Sequence, residues 1–136
     1  MRTLPSVNPN PHADEVVNDL VIDNNDNLLI TGLMFETVEF GHPTTNQLTS
    51  PVGSNVYLAK YNSAGINSWA FSFGGTNDGG YSIGIDSNND IYLGGYFAAT
   101  SPPAYFNPNN TSNPIQSING NPDMFIAKYS ETSGGC

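Results

Sequence analysis

An all-β fold is what this sequence predicts, laid out as two consecutive copies of one four-stranded antiparallel unit with the second copy incomplete. Three observations carry that prediction. Apolar residues alternate with polar ones at strand period in one segment after another. Gly 14 and Pro 10 break the 136 residues into short pieces, which disfavours long helices. Finally, whole blocks of sequence recur at nearly constant spacing, and nothing in the pattern reads as a helix.

The elements follow in order. Residues 1–12, "MRTLPSVNPNPH", are Pro-broken and read as irregular. The first strand is expected over Asp19 to Ile22. A second, Leu28 to Phe35, is almost continuously apolar ("LLITGLMF"), the mark of a strand covered on both faces. Val56 to Tyr61 forms the third, and Ser68 to Phe73 the fourth, where Trp69, Phe71 and Phe73 alternate. The pattern then restarts, with Tyr81, Ile83 and Ile85 alternating ahead of the apolar run "IYLGGYF".

Laying Asp23 on Asp86, an offset of 86 − 23 = 63, pairs Leu20 with Ile83, Ile22 with Ile85, Asn25 with Asn88 and Leu28 with Ile91. Ile30 with Leu93, Gly32 with Gly95 and Met34 with Phe97 follow at the same offset. "NVYLAKY" (Asn55 to Tyr61) matches "DMFIAKY" (Asp123 to Tyr129) at 123 − 55 = 68, so the second copy carries extra residues in a Pro- and Asn-rich loop, where insertions cost little. The units are therefore bounded as 13–75 and 76–130, the second lacking its outer strand, with 131–136 a flexible tail.

Four short strands per unit, repeated with both sheet faces covered by neighbours, is the pattern of β-propeller blades. A sandwich made of the same hairpins is the alternative, but it leaves the repetition unexplained. Two blades do not close a ring of the usual four to eight, so apolar faces are expected to be open at both ends. The chain is read either as a piece of a longer repeat array or as a protomer whose copies complete a ring. Arg2 to Val7, broken by proline, is a poor but available donor for the missing strand.

From Phe35 to Phe97 the order of motifs, a Phe-containing loop, an "AK" strand, a Trp strand, a "GG-x-x-D" turn and an Asx-rich hairpin turn, resembles the SBBP-type β-propeller repeat. The likeness spans about Ala13 to Ser130 in two copies, and it departs from the pattern at Asp26 and Asn89, where a Gly is usual. It implies a propeller fold and a secreted or cell-surface bacterial setting, with a scaffold role in protein or glycan binding.

Charge excludes some partners. With 3 basic residues against 12 acidic ones the formal net charge is -9, which repels a nucleic-acid backbone or an anionic membrane surface. No apolar run is long enough to span a bilayer, and the start has no apolar core of a secretory signal. A single cysteine, Cys136, leaves no internal disulfide and no thiolate metal site.

Two loops have the spacing of calcium ligands: Asp23, Asn25, Asn27 in one copy and Asp86, Asn88, Asp90 in the other. A calcium loop of the EF-hand kind needs Gly at its sixth position and an acidic ligand at its twelfth, and here Leu28, Met34, Ile91 and Phe97 stand there. Asx-rich hairpin turns explain both stretches, with weak calcium binding the alternative; no other cofactor is expected. Lys60 and Lys128 recur at equivalent places, so they are read as structural, paired with carboxylates such as Asp23 and Asp86; Trp69, Gly32 and Gly95 are structural too. Glu15 and Asp78 also align, and are read as capping the turn after "FGG".

Long loops, Thr37 to Ser54 and Ala98 to Pro122, each with an aromatic anchor, Phe40 and Phe106, are read as a binding surface or as mere spacers, with Phe40, His42, Tyr105 and Phe106 as the candidate binding residues. No G-x-S-x-G elbow or HExxH pair occurs, so no catalytic residue is assigned. The sequence thus favours a non-catalytic binding scaffold. Two alternatives stand: a fragment of a propeller enzyme with an axial site, for which Glu36, Glu39 and His42 are the cluster to watch, and a half-ring that self-assembles.

Overall fold

The computed structural model of the protein describes residues 15–41, 46–98, 103–107 and 114–130. Within them the chain runs β1 (Glu15–Ile22), β2 (Leu28–Glu39), β3 (Gln47–Tyr61), β4 (Asn67–Phe73), β5 (Gly79–Ile85), β6 (Ile91–Phe97), a single 3-10 turn (Ile118–Gly120) and β7 (Asp123–Tyr129). The first four strands form one antiparallel sheet in the order β1-β2-β3-β4, and the last three form a second in the order β5-β6-β7. Among the described residues no α-helix occurs, and β7 pairs only with β6.

Side-chain chemistry sets the hairpin turns. The Asp23 carboxylate accepts from the backbone N–H of Asn25 (2.8 Å) and Asn27 (2.9 Å), which bends the chain so that Asp26 takes a φ of 62°. Asp86 repeats this with Asn88 (2.8 Å) and Asp90 (3.0 Å), and Asn89 takes the same φ of 62°. The β3–β4 turn uses Asn62 Oδ1, which accepts from Ala64 and Ile66, with Gly65 at positive φ.

The two sheets also share an irregularity. β1 carries a bulge between Val17 and Asp19 and β5 one between Gly80 and Ser82, the same positions 63 residues apart (80 − 17). Across from each bulge lies a glycine. A Cβ on Gly32 would overlap the carbonyl oxygen of Val16, and one on Gly95 the carbonyl oxygen of Gly79, so both positions need the bare backbone to let the bulged strand approach.

One expected loop is mostly strand. Residues 37–39 pair with 47–49, extending the β2–β3 hairpin well past Phe35. The reason is a second, short alternation: Val38 is fully buried and paired with the half-buried Leu48, while Thr37 and Thr49 meet through their hydroxyls at 3.0 Å. A register shift after Phe35 separates this extension from the main ladder, with Glu36 (φ 55°) and Gly53 (φ 68°) in the left-handed region and the Ser50 hydroxyl donating to Gly53 O. In the second long loop the strand pairing among the described residues is limited to isolated bridges, Gly74 with Tyr105 and Ala104 with Ile115.

Two apolar clusters make the core. One lies between the sheets and joins Leu29, Val56, Leu58 and Phe73 to Ile83, Ile91, Leu93, Phe97, Phe125 and Tyr129. The other covers the opposite face of the first sheet, with Ile30, Met34, Val38, Phe40, Tyr57 and Tyr61. β5 is the strand that rests on the first sheet, against β1, β2 and β3.

Candidate functional site

The aromatic residues expected to present ligands in the loops turn inward. The Phe40 ring is buried, 4.9 Å from the Tyr57 ring, and its carbonyl accepts the Tyr61 hydroxyl at 3.0 Å. Phe106 does the same in the second unit: its ring lies 4.3 Å from Phe125, and its carbonyl accepts the Tyr129 hydroxyl at 2.7 Å. Both residues fasten their loops to the sheet, because a tyrosine on the third strand of each unit offers a hydroxyl that has to be satisfied when its ring is buried. Tyr105 is half-buried and held by its backbone against Gly74. His42 lies outside the described residues.

The Asx turns are filled from within. Lys60 Nζ lies 2.8 Å from Asp23 Oδ2, with the carboxylate fully buried, while Asp23 Oδ1 accepts the two backbone bonds and one from the Asn27 amide. Burial pushes the Asp23 carboxyl up, but the bonds from Lys60, Asn27 and Asn25 outweigh it and hold it at about 2. In the other turn Lys128 lies 2.8 Å from Asp90, 4.0 Å from Asp86 and 5.1 Å from the centre of the Tyr92 ring, with its side chain 51% exposed. The Asp90 carboxylate holds the Lys128 ammonium well above its ordinary range. Each turn thus places an ammonium and amide donors on the carboxylate oxygens that a cation would use. No cluster of three metal-binding side chains occurs among the described residues.

Asp78 is fully buried and accepts from the backbone N–H of Gly75 and, at 3.0 Å, of Ala98. Burial pushes its carboxyl up in spite of those bonds. It closes the "FGG" turn and holds the start of β5 against the first sheet, where the Ser54 hydroxyl donates to Asp78 O. Glu36 is exposed and Glu39 half-buried, on the extended hairpin. Trp69 stacks on Phe71 at 5.2 Å beside the core between the sheets.

What the structure leaves open is apolar sheet surface. Tyr92, Met124 and Ile126 share the face of the second sheet turned away from the first, and Met124 and Ile126 are each 74% exposed. Their equivalents in the first unit are Leu29 (92 − 63), Val56 (124 − 68) and Leu58 (126 − 68), all three fully buried beneath the second sheet. At the other end, Leu20 and Ile22 on β1 are 57% and 55% exposed, whereas their equivalents Ile83 and Ile85 enter the core between the sheets. Periodicity marks all five as strand residues; exposure depends on which neighbour is present, and that is where sequence reasoning about single residues stops.

Polar contacts along the strand edges complete the junction. Asn18 Nδ2 donates to Gly80 O at 2.7 Å, Asp19 Oδ2 accepts from Ile83 N at 2.9 Å, and Asn24 Nδ2 donates to Asp86 O at 3.0 Å. In comparisons with known proteins the chain matches no family model, no curated protein and no solved structure.

Proposed function

We propose that the chain is a pair of consecutive β-propeller-type blades, 13–75 and 76–130, the second without its outer strand, acting as a non-catalytic scaffold for protein or glycan contacts in a secreted or cell-surface protein. One observation carries the reading: the sheet of one unit stacks face to face on the sheet of the next, through β5 of the second unit on β1, β2 and β3 of the first. Matching bulges, matching glycines and matching tyrosine-to-loop bonds support the same geometry in both units. The resemblance of the motifs to the SBBP-type repeat supports the surface setting and the scaffold role.

Several of the side chains that chemistry would use are committed to structure in the described residues. Asp23 and Lys60 neutralise each other, Asp78 caps a turn, and the loop phenylalanines are anchors. Ligand contact therefore falls to the β2–β3 hairpin end, to the stretch between β6 and β7, and to the open sheet faces. The test is binding of the purified chain to glycan and extracellular-protein arrays beside a panel of hydrolase substrates, repeated with E36Q/E39Q. Saturable binding without turnover is expected in both. Turnover that disappears in E36Q/E39Q would replace the scaffold with the enzyme reading.

A further inference from the structure

We infer that the open face of the second sheet is a docking surface for a second copy of this chain, which seats its β1 there as β5 seats on the first sheet. The inference rests on the blade reading above and names the partner. Inside one chain, β5 brings Ile83 and Ile85 onto the face made by Leu29, Val56 and Leu58. Both halves of that junction exist again, unpaired: Leu20 and Ile22 are the exposed equivalents of the two isoleucines, and Tyr92, Met124 and Ile126 those of the receiving face.

The strand pairings that set the receiving face are the same in both units. Thr31 opposite Leu58 becomes Gly94 opposite Ile126, and Leu33 opposite Val56 becomes Tyr96 opposite Met124. The docking face therefore presents side chains from the same positions, at the same strand register, as the one already filled.

Side-chain sizes across the two junctions exchange in the way a second docking requires. Within the chain β5 rests its Gly80 backbone directly on Thr31, since a Cβ there would overlap Thr31 Oγ1. At the free surfaces Val17 stands in the place of Gly80 and Gly94 in the place of Thr31. The larger side chain has moved to the incoming strand and the smaller to the receiving sheet. Gly94 has room for it, because an added Cβ would find its nearest neighbour, Phe125 O, only at 3.9 Å. Val17 is itself exposed.

The polar rim changes, with Tyr81 standing in the place of Asn18. Ser82 and Ser87 take the places of Asp19 and Asn24, so an acceptor for Leu20 N and a donor for Asp23 O remain, on shorter side chains. Such an interface uses a different patch on each copy, so it is head-to-tail and grows into a ring or a filament instead of stopping at a symmetric dimer.

The experiment is light scattering after size exclusion on the wild type and on two variants that each block one patch, Ile126→Asp and Leu20→Asp, at up to about 500 µM. Both residues are exposed, so the variants keep the fold. The wild type is expected to form discrete multiples of 14.5 kDa, each variant alone to stay at 14.5 kDa with association weakened about 100-fold, and an equimolar mixture of the two to give a one-to-one dimer. That dimer arises only when one copy keeps its β1 and the other its open sheet. A wild type that remains at 14.5 kDa, or a variant that assembles as the wild type does, overturns the proposal. A third variant, Leu58→Asp, at the buried equivalent of Ile126, tests the stack itself. Loss of the cooperative melt beside a monomeric wild type would retire the second copy alone, and an unchanged melt would retire the blade reading as well.

Discussion

Lys60 and Lys128 show how much one residue's contribution depends on what covers it. They stand at equivalent places on β3 and β7, yet the Lys60 side chain is 10% exposed beside a fully buried carboxylate, while that of Lys128 is 51% exposed. Removing one member of a buried pair strands the other charge, so Lys60→Ala is expected to cost about 2–3 kcal/mol, read from the urea midpoint at constant m-value. Lys128→Ala is expected to leave that midpoint nearly unchanged. Asp23 makes the first of these pH-dependent. Its folded value, about 2, lies below the ordinary 3.8, so the stabilisation is whole above about pH 4 and is lost as pH falls toward 2. Discounted for the nearness of solvent to the turn, it amounts to about 1–2 kcal/mol, and a urea titration from pH 6 to 2 should lose that increment in the wild type and not in Asp23→Asn. Asp78 has the opposite sign: its value is raised, so its cost is present at neutral pH and is relieved as pH falls through that raised value.

The bulged β1–β2 and β5–β6 pairs are the elements most sensitive to a single methyl group. Gly32→Ala and Gly95→Ala push a Cβ into a backbone carbonyl that cannot swing away, and each is expected to cost about 2 kcal/mol or more. Gly84 offers the control on the same kind of strand, since an added Cβ there meets nothing within 4 Å. Gly84→Ala should raise stability by about 0.5 kcal/mol through the unfolded chain. Thermal melts of the three variants decide it: a Gly32→Ala protein as stable as Gly84→Ala would mean that the bulge is not tight in solution. The hairpin extension past Phe35 belongs to this scale too. Its short Thr-Val-Glu against Gln-Leu-Thr pairing is hard to tell from a loop in the sequence, because the register shift at Glu36 interrupts the longer alternation.

For the whole molecule, surface charge and open apolar faces pull in opposite directions. A net charge of -9 makes copies repel, while the face carrying Tyr92, Met124 and Ile126 draws them together by desolvation. Salt screens the first and leaves the second, so raising ionic strength from about 20 to 500 mM should strengthen association of the wild type, measured by sedimentation. Weakening by salt would instead point to charge pairs at the junction.

Much of this protein was legible in its residues. Strand period, Asx turns and a 63-residue offset from Asp23 to Asp86 (86 − 23) are local or repeated signals, and they determine the strand order, the hairpins and the structural place of Gly32, Gly95 and the two lysines. Any stack of sheets has outer faces at its ends. Which side chains those ends present was decided only by the tertiary structure. Val56 and Met124 are equivalent residues on equivalent strands, and only the presence of β5 over one of them makes the first core and the second surface. Phe40 and Phe106 were legible as loop anchors, but what fastens them was not: a buried tyrosine hydroxyl in each unit needs an acceptor, and their carbonyls supply it. Burial is a property of the neighbour as much as of the residue, and a single chain's sequence fixes the neighbour only where it repeats itself.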